Sequence, residues 1–319
     1  MHQIPAAYAT LDSDALARLV REEYGLDDVR VVLLRRAFND NYRVTAGDER
    51  FILRVYLYGK SYITGPDDFR FELDLLDHLA AEGLGVATAV PRLCGDKLGA
   101  LLAPEGIRHF ALFRYAPGVA VNRPDERQTR ALGELVARVH LAADRFPVVH
   151  PRHSLGLEAL VEEPLARVAP YLAGRPEDWA YVQRMAERVA RRLGALQLPP
   201  GGWGIIHGDP HAGNCHFDGD RPVMFDFDTC GYGWRAYDVA IFMSGPGYAH
   251  RDGFLEAYQS VRPFSDAEVA MLPTFMKARA LWNGGDILTL APIWGEVSAN
   301  RFVREMLEDL RRLEEQYPE

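Results

Sequence analysis

The 319-residue sequence predicts an α+β fold, in which a small antiparallel sheet precedes a larger, mainly helical part. Residues 50–58 alternate between two faces, which is the period-two pattern of a strand. In residues 132–139, apolar side chains recur every three or four positions, as in an amphipathic helix. Residues 114–118 separate the two patterns and contain a Pro-Gly pair, which breaks regular structure. We therefore predict an N-terminal part of residues 1–116 and a C-terminal part of residues 117–319.

The N-terminal part is predicted to contain two helices and a hairpin. A helix over residues 11–24 is indicated by an apolar stripe that starts beside capping residues and ends before a glycine. The apolar run 31–34, the polar residues 38–42 and the alternating residues 50–58 then predict a strand, a turn and a strand. A second helix is predicted over residues 67–81 because its leucines recur at helical spacing.

Two charged residues of this part lie on otherwise apolar faces. Arg54 shares a predicted strand face with Ile52 and Tyr56, and Glu72 shares a predicted helix face with leucines. A charge in apolar surroundings needs a partner, so we predict that Arg54 and Glu72 pair with each other. A purely structural ion pair, or two charges that face solvent, is the alternative.

The C-terminal part is predicted to consist mainly of helices. Residues 179–196 have a helical period with arginines on the outer face. Residues 253–317 also have helical character, and we expect breaks near Pro263, Pro273, Gly284–Gly285 and Pro292. Acidic and aromatic residues of this region are candidates for attracting a cation and stacking on it: Tyr248, Asp252, Glu256, Trp282, Asp286, Trp294 and Glu296.

Residues 205–228 contain two acidic clusters and an amide between apolar runs. Asp209 follows a pair of isoleucines, Asn214 lies in the same loop, and Asp226 follows the short apolar run 223–225. Phosphoryl transfer requires a divalent metal, oxygen ligands for that metal and a carboxylate beside the attacking hydroxyl. These residue types therefore predict Asp209 as the carboxylate, with Asn214 and Asp226 as metal ligands.

Two other interpretations of this window remain open. Asp, Asn and Gly are also the residues of ordinary turns. His207 and His211 have the i, i+4 spacing of a zinc-binding helix. Gly208 and Pro210 lie between the two histidines and disfavour a helix there.

The motif resembles that of the aminoglycoside phosphotransferase and choline/homoserine kinase family, whose members are related to the protein kinases. The family pattern H-G-D-x-H-x-x-N matches residues 207–214, and its D-F-D pattern matches residues 226–228. The resemblance implies a two-lobed protein-kinase-like fold and a kinase that uses ATP and Mg²⁺. It further implies Asp209 as catalytic base and Asn214, Asp226 and an assisting Asp228 around magnesium. Structural support is expected from His207, His211 and Asp238.

The same resemblance extends to the N-terminal part. It implies that Arg54, paired with Glu72, contacts the ATP phosphates, where many kinases have a lysine. It places residues 37–42, which contain no glycine, over the phosphates, with Asn39 and Asn41 as candidate contacts. Residues 114–116 form the implied hinge between lobes, where the main chain of Arg114, Tyr115 and Ala116 would contact the adenine edge and Phe113 would pack behind it.

Composition limits the partners and the compartment. A formal charge of −9 argues against nucleic-acid binding and favours a neutral or cationic small substrate. Cys94, Cys215 and Cys230 form no framework of pairs, which fits a reducing cytoplasm. The first ten residues do not form a secretory signal, and no run of about 18 apolar residues predicts a membrane helix.

The acceptor of the phosphate stays open at this level. A small alcohol such as an amino alcohol, homoserine or a sugar-like molecule is the first expectation, and an aminoglycoside is the second. A protein serine or threonine is the third, because the chain length and a predicted helix pair near residues 281–290 are similar to those of the bacterial stress-response kinases. A nucleotide-binding regulator without turnover is the non-enzymatic alternative.

Overall fold

A computed structural model describes residues 4–197, 199–245 and 249–318. The N-terminal part is built on a five-stranded antiparallel sheet with the strand order β1-β2-β3-β5-β4. Its strands are β1 Val29–Arg36, β2 Asn39–Ala46, β3 Glu49–Tyr56, β4 Gly99–Ala103 and β5 Gly106–Arg114. Two helices accompany the sheet, α1 Ser13–Tyr24 and α2 Pro66–Ala81.

The turn between β1 and β2 is shorter than the polar pattern predicted. Strand β2 starts at Asn39, so only residues 37–38 connect the two strands. Asn39 and Asn41 therefore lie in β2 and pair with Tyr56 and Arg54 of β3. The prediction was wrong because polar side chains on this strand have partners inside the protein, and polarity alone does not reveal them.

Both predicted N-terminal helices are confirmed, and their ends lie within two residues of the predicted ones. The carboxylate of Asp12 accepts a hydrogen bond from the N–H of Ala15 at 2.8 Å and caps α1. Gly25 ends the helix in the left-handed conformation, with φ of 66°. Helix α2 begins at Pro66, where the missing N–H costs nothing because the first turn has no acceptor for it.

Helices dominate the C-terminal part. They are α3 Glu126–Ala143, α4 Glu163–Val168, α5 Pro176–Gly194, α6 Arg235–Ser244, α7 Arg251–Val261, α8 Asp266–Asp286, α9 Ala291–Trp294 and α10 Glu296–Gln316. Two small sheets lie among them, with the orders β10-β9-β6 and β7-β11-β8. Their strands are β6 Val119–Ala120, β7 Ser154–Leu155, β8 Trp203–Ile206, β9 Cys215–Asp218, β10 Arg221–Met224 and β11 Gly231–Trp234.

Helix α8 runs without interruption through two of the predicted breaks. Pro273 lies inside the helix, and Gly284 and Gly285 form part of its last turns. The glycines serve close packing, because a Cβ on Gly284 would lie 2.5 Å from Met306 Sδ and one on Gly285 would lie 2.3 Å from the Cα of Pro164. Residues 281–290 accordingly form the end of α8 and a short 3₁₀ turn, and the predicted helix pair is absent there.

The buried apolar side chains of the described residues form two hydrophobic cores. The smaller core lies between α1 and the sheet and contains Val20, Tyr42, Val44, Leu53 and Leu112. The larger core includes the apolar face of α2 and continues through the helices of the C-terminal part. Helix α2 therefore packs against both parts, which fixes the sheet above the loops that follow β8 and β10. The exact boundary at residues 116–117 remains a prediction.

We expect Gly133→Ala to destabilise the protein although alanine is the better helix former. Gly133 lies where α3 packs on α7, and a Cβ there would approach the carbonyl oxygen of Phe254 to 2.4 Å. Overpacking of this kind costs about 1–3 kcal/mol of unfolding free energy, measured by urea denaturation. Gly194→Ala in α5 is the control, since no atom lies within 4 Å of its Cβ position. An unchanged or raised stability for Gly133→Ala would contradict the close packing.

Candidate active site

A buried carboxylate anchors the first acidic loop, residues 207–214. Asp238, at the start of α6, accepts hydrogen bonds from the N–H of His207 at 2.8 Å and of Gly208 at 2.9 Å. The Nε2 atom of His140 lies 3.0 Å from the same carboxylate. Three partners satisfy a charge that is fully buried, which makes the turn after β8 rigid. These hydrogen bonds fit the supporting role that the family resemblance implies for Asp238.

Gly208 is required by the shape of this turn. Its φ of 82° lies in the left-handed region, and a Cβ would lie 2.6 Å from the carbonyl oxygen of Thr229. The close approach brings the first acidic loop against the second, residues 225–229. No other residue type fits this position without moving one loop away from the other.

Asp209 follows directly and makes charged contacts. Its carboxylate accepts a hydrogen bond from Arg279 of α8 at 2.5 Å and one from Asn214 Nδ2 at 3.2 Å, while His211 Nε2 lies 3.5 Å away. Burial alone would raise the pKa of Asp209, but Arg279 and His211 outweigh it and hold the pKa well below its usual range. Asp209 is therefore ionised at neutral pH and oriented from two sides.

Hydrogen bonds join the acidic loops at several points, and in one of them Thr229 Oγ1 donates to the carbonyl oxygen of His207 at 3.3 Å. The N–H of Phe225 donates to the carbonyl oxygen of Asn214 at 3.0 Å, and His207 Nε2 lies 3.2 Å from the carbonyl oxygen of Phe225. The next residue, Asp226, has a left-handed backbone with φ of 65°, which is uncommon outside glycine. Strain of this kind persists only where surrounding contacts impose it, and it is frequent at functional sites.

The joined loops present oxygen atoms that suit a magnesium ion. Asn214 uses its Nδ2 as a donor to Asp209, which leaves its carbonyl oxygen as an available ligand. Asp226 is partly exposed and lines the same cleft as Asn214. Mg²⁺ commonly binds one or two protein oxygens and completes its shell with water and phosphate, so this small donor set fits.

The donor set does not suit zinc. Among the described residues, no group of three His, Cys, Asp or Glu side chains is arranged to hold a metal. Both ring nitrogens of His207 have partners, since Nδ1 lies 3.1 Å from the N–H of Asp209 and Nε2 lies beside Phe225. His211 Nδ1 caps the short 3₁₀ turn of the loop by accepting from Gly213 N–H. The two histidines thus support the loop.

The predicted pair of Arg54 and Glu72 is confirmed and has a third member. Arg54 Nη1 lies 2.8 Å from Glu72 Oε1, and its Nη2 lies 3.0 Å from Asp226 Oδ1. The guanidinium also lies 4.9 Å from the ring centroid of Phe113. Burial raises the pKa of Glu72 to about 6 although Arg54 opposes that change. Arg54 therefore connects α2 and the sheet directly to the second acidic loop.

Asp228 occupies a different position from the one expected of a metal ligand. Its two carboxylate oxygens accept hydrogen bonds from Lys60 Nζ at 2.9 and 2.8 Å, and Tyr62 donates to one of them at 2.9 Å. Burial disfavours its charge, yet Lys60 and Arg54 lower the pKa of Asp228 to about 2. Both of its oxygens are therefore engaged in a buried ion pair, whereas Asp226 contacts Arg54 through Oδ1 at a partly exposed position.

The two asparagines of β2 have separate surroundings. Asn39 is buried, and its side-chain oxygen accepts hydrogen bonds from Lys60 Nζ at 3.0 Å and Leu57 N–H at 3.3 Å. Asn41 accepts a 3.4 Å hydrogen bond from Arg54 Nε and lines the cleft. Asn39 thus helps to hold Lys60 in place, whereas Asn41 lines a cavity between the sheet and the C-terminal part.

A cavity of about 250 Å³, here called the hinge cavity, lies between the sheet and the C-terminal part. Apolar side chains line it, among them Ile52, Phe113 and Phe225, and Ala116 belongs to the lining as well. The N–H groups of Arg114 and Tyr115 donate to Thr88 and Arg50. Within the described part of the chain the N–H of Ala116 donates no hydrogen bond, so a donor remains at the apolar slot.

The central cleft continues from the hinge cavity, and the outer cavity continues from the central cleft. The central cleft contains Asn41, Asn214 and Asp226, which it shares with the hinge cavity, and it also contains Asp209 and Arg279. The outer cavity, about 650 Å³, shares Asp209 and Arg279 with the central cleft. Asp209 and Asp226 therefore both line the central cleft, and Asp226 also lines the hinge cavity while Asp209 also lines the outer cavity.

Sequence patterns did not reveal Lys60 and Arg279. Lys60 is one of three lysines in the chain, and this rarity was the only signal that it carried. Arg279 lies 70 positions after Asp209 in a helix that contains no motif. Both act through contacts between distant segments, which a local pattern cannot show.

Comparison with known proteins identifies the family. Residues 32–271 match the family model described as APH, the phosphotransferase enzyme family. The chain belongs to this family. It is 30% identical over 298 residues to a homoserine kinase of Rhizobium rhizogenes, with 86% of this chain and 84% of the relative covered. The protein is therefore a phosphotransferase enzyme with kinase relatives.

Solved structures support the same fold. A microcompartment-associated aminopropanol kinase superposes with a TM-score of 0.79 at 22% identity. The alignment covers 95% of this chain and 97% of the kinase chain. The amicoumacin kinase hAmiN, solved in complex with AMP-PNP, Ca²⁺ and Ami, superposes with a TM-score of 0.75 at 22% identity. The alignment covers 93% of this chain and 94% of the kinase chain. The protein-kinase-like α+β fold that the sequence predicted is confirmed. Among the described residues, no helix combines the length and apolar character needed to cross a membrane.

We expect removal of one partner of the buried Lys60–Asp228 pair to destabilise the protein strongly. Lys60→Met leaves the carboxylate of Asp228 buried without its counter-charge, which costs about 3–5 kcal/mol of unfolding free energy. Lys60→Met combined with Asp228→Leu removes both charges and is expected to recover most of that loss. Urea denaturation of the two single variants and the double variant measures the coupling.

Lys97→Met provides the matched control, because Lys97 pairs with Asp77 in a partly exposed setting that is worth less than about 1 kcal/mol. Additive effects of Lys60→Met and Asp228→Leu would contradict a coupled pair.

Proposed function

We propose that the protein transfers the γ-phosphoryl group of ATP to a hydroxyl group of a small molecule, with Mg²⁺ as the metal. The observation that carries the proposal is the continuous cleft, which leads from the apolar hinge cavity past Asn214 and Asp226 to Asp209 and the outer cavity. Kinase relatives whose names specify homoserine and aminopropanol support a small acceptor.

The hinge cavity suits the adenine ring. Its apolar lining would contact both faces of a planar base, and the N–H of Ala116 supplies a donor for the ring edge. The phosphates would then extend toward Arg54, whose guanidinium is held by Glu72 and Asp226. An arginine fixed in this way binds phosphate oxygens without a large loss of side-chain entropy.

Asn214 and Asp226 would hold magnesium. When bound, the nucleotide supplies the phosphoryl group, and Mg²⁺ compensates the negative charge on its oxygens. The donor set of one amide oxygen and one carboxylate fits a metal that also binds phosphate. Asp228 is assigned a structural role, because Lys60 and Tyr62 engage its oxygens.

Asp209 would orient the acceptor hydroxyl and take its proton. The acceptor oxygen forms the new bond to phosphorus while the bond to the leaving ADP breaks, and the hydroxyl proton passes to the carboxylate. The low pKa of Asp209 makes it a weak base but guarantees that it is ionised. In a loose transition state the proton moves late, so orientation by a weak base is sufficient.

We expect Asp209→Asn to reduce kcat about 10²- to 10⁴-fold, because an amide can neither accept the proton nor orient the hydroxyl in the same way. The KM for ATP should change by less than about threefold, since Asp209 lies at the acceptor end of the cleft. Steady-state ADP release with an acceptor measures both constants. Asp220→Asn, at an exposed site of the β9–β10 hairpin, is the control. Equal kcat values for Asp209→Asn and wild type would contradict the assignment.

We expect kcat/KM for ATP to fall as the pH decreases through about 6. Above that pH Glu72 is ionised and holds Arg54, whereas below it protonation weakens the pair and releases the guanidinium. Profiles from about pH 5 to about pH 8 measure the effect. Glu72→Gln should have a lower kcat/KM at neutral pH and no inflection near 6. The same inflection in both proteins would assign it to another group.

A further inference from the structure

The outer cavity is the part of the cleft that remains for the acceptor. It begins at Asp209 and is bounded by α6, α8 and α10 and by the start of α7. Its volume of about 650 Å³ leaves room for a small organic molecule. The chemistry of its charged lining therefore reports on the acceptor, provided that the proposed function is correct.

The lining contains more positive than negative charge. Three guanidinium groups, those of Arg251, Arg279 and Arg312, face two carboxylates, those of Asp209 and Asp309. Arg279 pairs with Asp209 at 2.5 Å, and Arg312 pairs with Asp309 at 2.9 Å. Both carboxylates of the cavity are thereby engaged, and the excess cation is Arg251.

Arg251 has only weak compensation for its charge. Its Nη2 donates to the carbonyl oxygen of Gly245 at 2.6 Å. Its Nε–H is buried and donates no hydrogen bond within the described part of the chain, and no carboxylate there pairs with the guanidinium. A partly buried guanidinium without a counter-charge is costly, so such a group usually serves a ligand.

The acidic residues that the sequence suggested for a cationic acceptor lie elsewhere. Glu256 pairs with Arg130 on the surface, and Asp286 is buried beside Ser61. Neither lines the outer cavity, and the same holds for Asp252 and Glu296. Tyr248 lies outside the described residues. The net charge of −9 is therefore not a guide to the charge of this cavity.

We infer that the acceptor is a small alcohol that carries an oxyanion, a carboxylate or a phosphate, and that Arg251 binds this group. This inference rests on the proposed function, because it names the substrate class of the same site. The oxyanion fixes one end of the acceptor at Arg251 while Asp209 orients the hydroxyl at the other end. A cationic amino alcohol without an acid group would leave the guanidinium uncompensated and would be bound weakly.

Matched acceptors test the substrate class directly. L-Homoserine and 3-aminopropan-1-ol differ by the carboxylate alone, and 4-hydroxybutyrate keeps the carboxylate without the amine. Glycerol 3-phosphate presents a phosphate in its place. With ATP and Mg²⁺ at saturation, we expect ADP release with oxyanion acceptors and a kcat/KM at least about tenfold lower for 3-aminopropan-1-ol than for L-homoserine. A higher kcat/KM for L-homoserine than for glycerol 3-phosphate indicates a carboxylate acceptor, and the reverse order indicates a phosphate acceptor.

Variants of the cavity arginines test the residue. With the preferred oxyanion acceptor, Arg251→Gln should raise the acceptor KM about 10- to 100-fold with little change in kcat, because it removes binding that ground state and transition state share. Arg251→Lys should recover part of the loss, since it keeps the charge without the planar fork. Arg312→Gln is the matched control, with an expected change below about threefold, because Arg312 already has Asp309 as partner.

The opposite results overturn the inference. It is wrong if 3-aminopropan-1-ol equals or exceeds L-homoserine, if no oxyanion acceptor supports turnover, or if Arg251→Gln and Arg312→Gln behave alike while both melt at the wild-type temperature. Turnover of a neutral or cationic acceptor that Asp209→Asn abolishes would leave the proposed kinase chemistry intact. Absence of Mg²⁺-dependent ATP binding in calorimetry would instead refute the proposed function.

Discussion

Hydrogen bonds between the acidic loops, including the one from Thr229 Oγ1 to the carbonyl oxygen of His207, determine the geometry of the whole site. The main chains of Asn214 and Phe225 are joined directly, and the ring of His207 contacts the carbonyl oxygen of Phe225. Because Asp209 and Asp226 lie beside these bonds, their carboxylates cannot separate without breaking the joint. Asp238 holds the first acidic loop through hydrogen bonds to the N–H groups of His207 and Gly208. The absence of a side chain at Gly208 allows the two loops to approach each other closely. Preorganised oxygen atoms of this kind are the main contribution of a protein to phosphoryl transfer.

Buried ion pairs connect this joint to the sheet above it. Arg54 joins Glu72 of α2 to Asp226, and Lys60 joins the segment after β3 to Asp228. Each pair carries desolvation costs, so its value lies in fixing one arrangement of distant segments more than in adding stability. Consecutive carboxylates of one D-F-D motif thus have different partners. Asp226 stays partly exposed in the cleft, whereas Asp228 is buried with its lysine.

Local patterns were sufficient for much of the fold. The caps of α1 and the leucine period of α2 predicted both helices, and the alternation in β3 predicted a strand. The same reasoning failed for Asn39 and Asn41, where polar residues were interpreted as a turn although they lie in β2. It also failed for Gly284 and Gly285, which allow α10 and α4 to approach α8 closely and do not end that helix. In each case a tertiary contact, absent from any local window, outweighed the propensity.

The sequence by itself predicted the proposed chemistry of the site, because Asp209, Asn214 and Asp226 lie in one short segment whose strands and turns are set by neighbouring residues. Even the pairing of Arg54 with Glu72 followed from the cost of leaving a charge among apolar side chains. Only the tertiary structure decided which groups surround those residues. Lys60, Arg279 and Arg251 reach the cleft from segments far away in the chain, and their positions depend on how helices and loops pack, a property that no local pattern encodes.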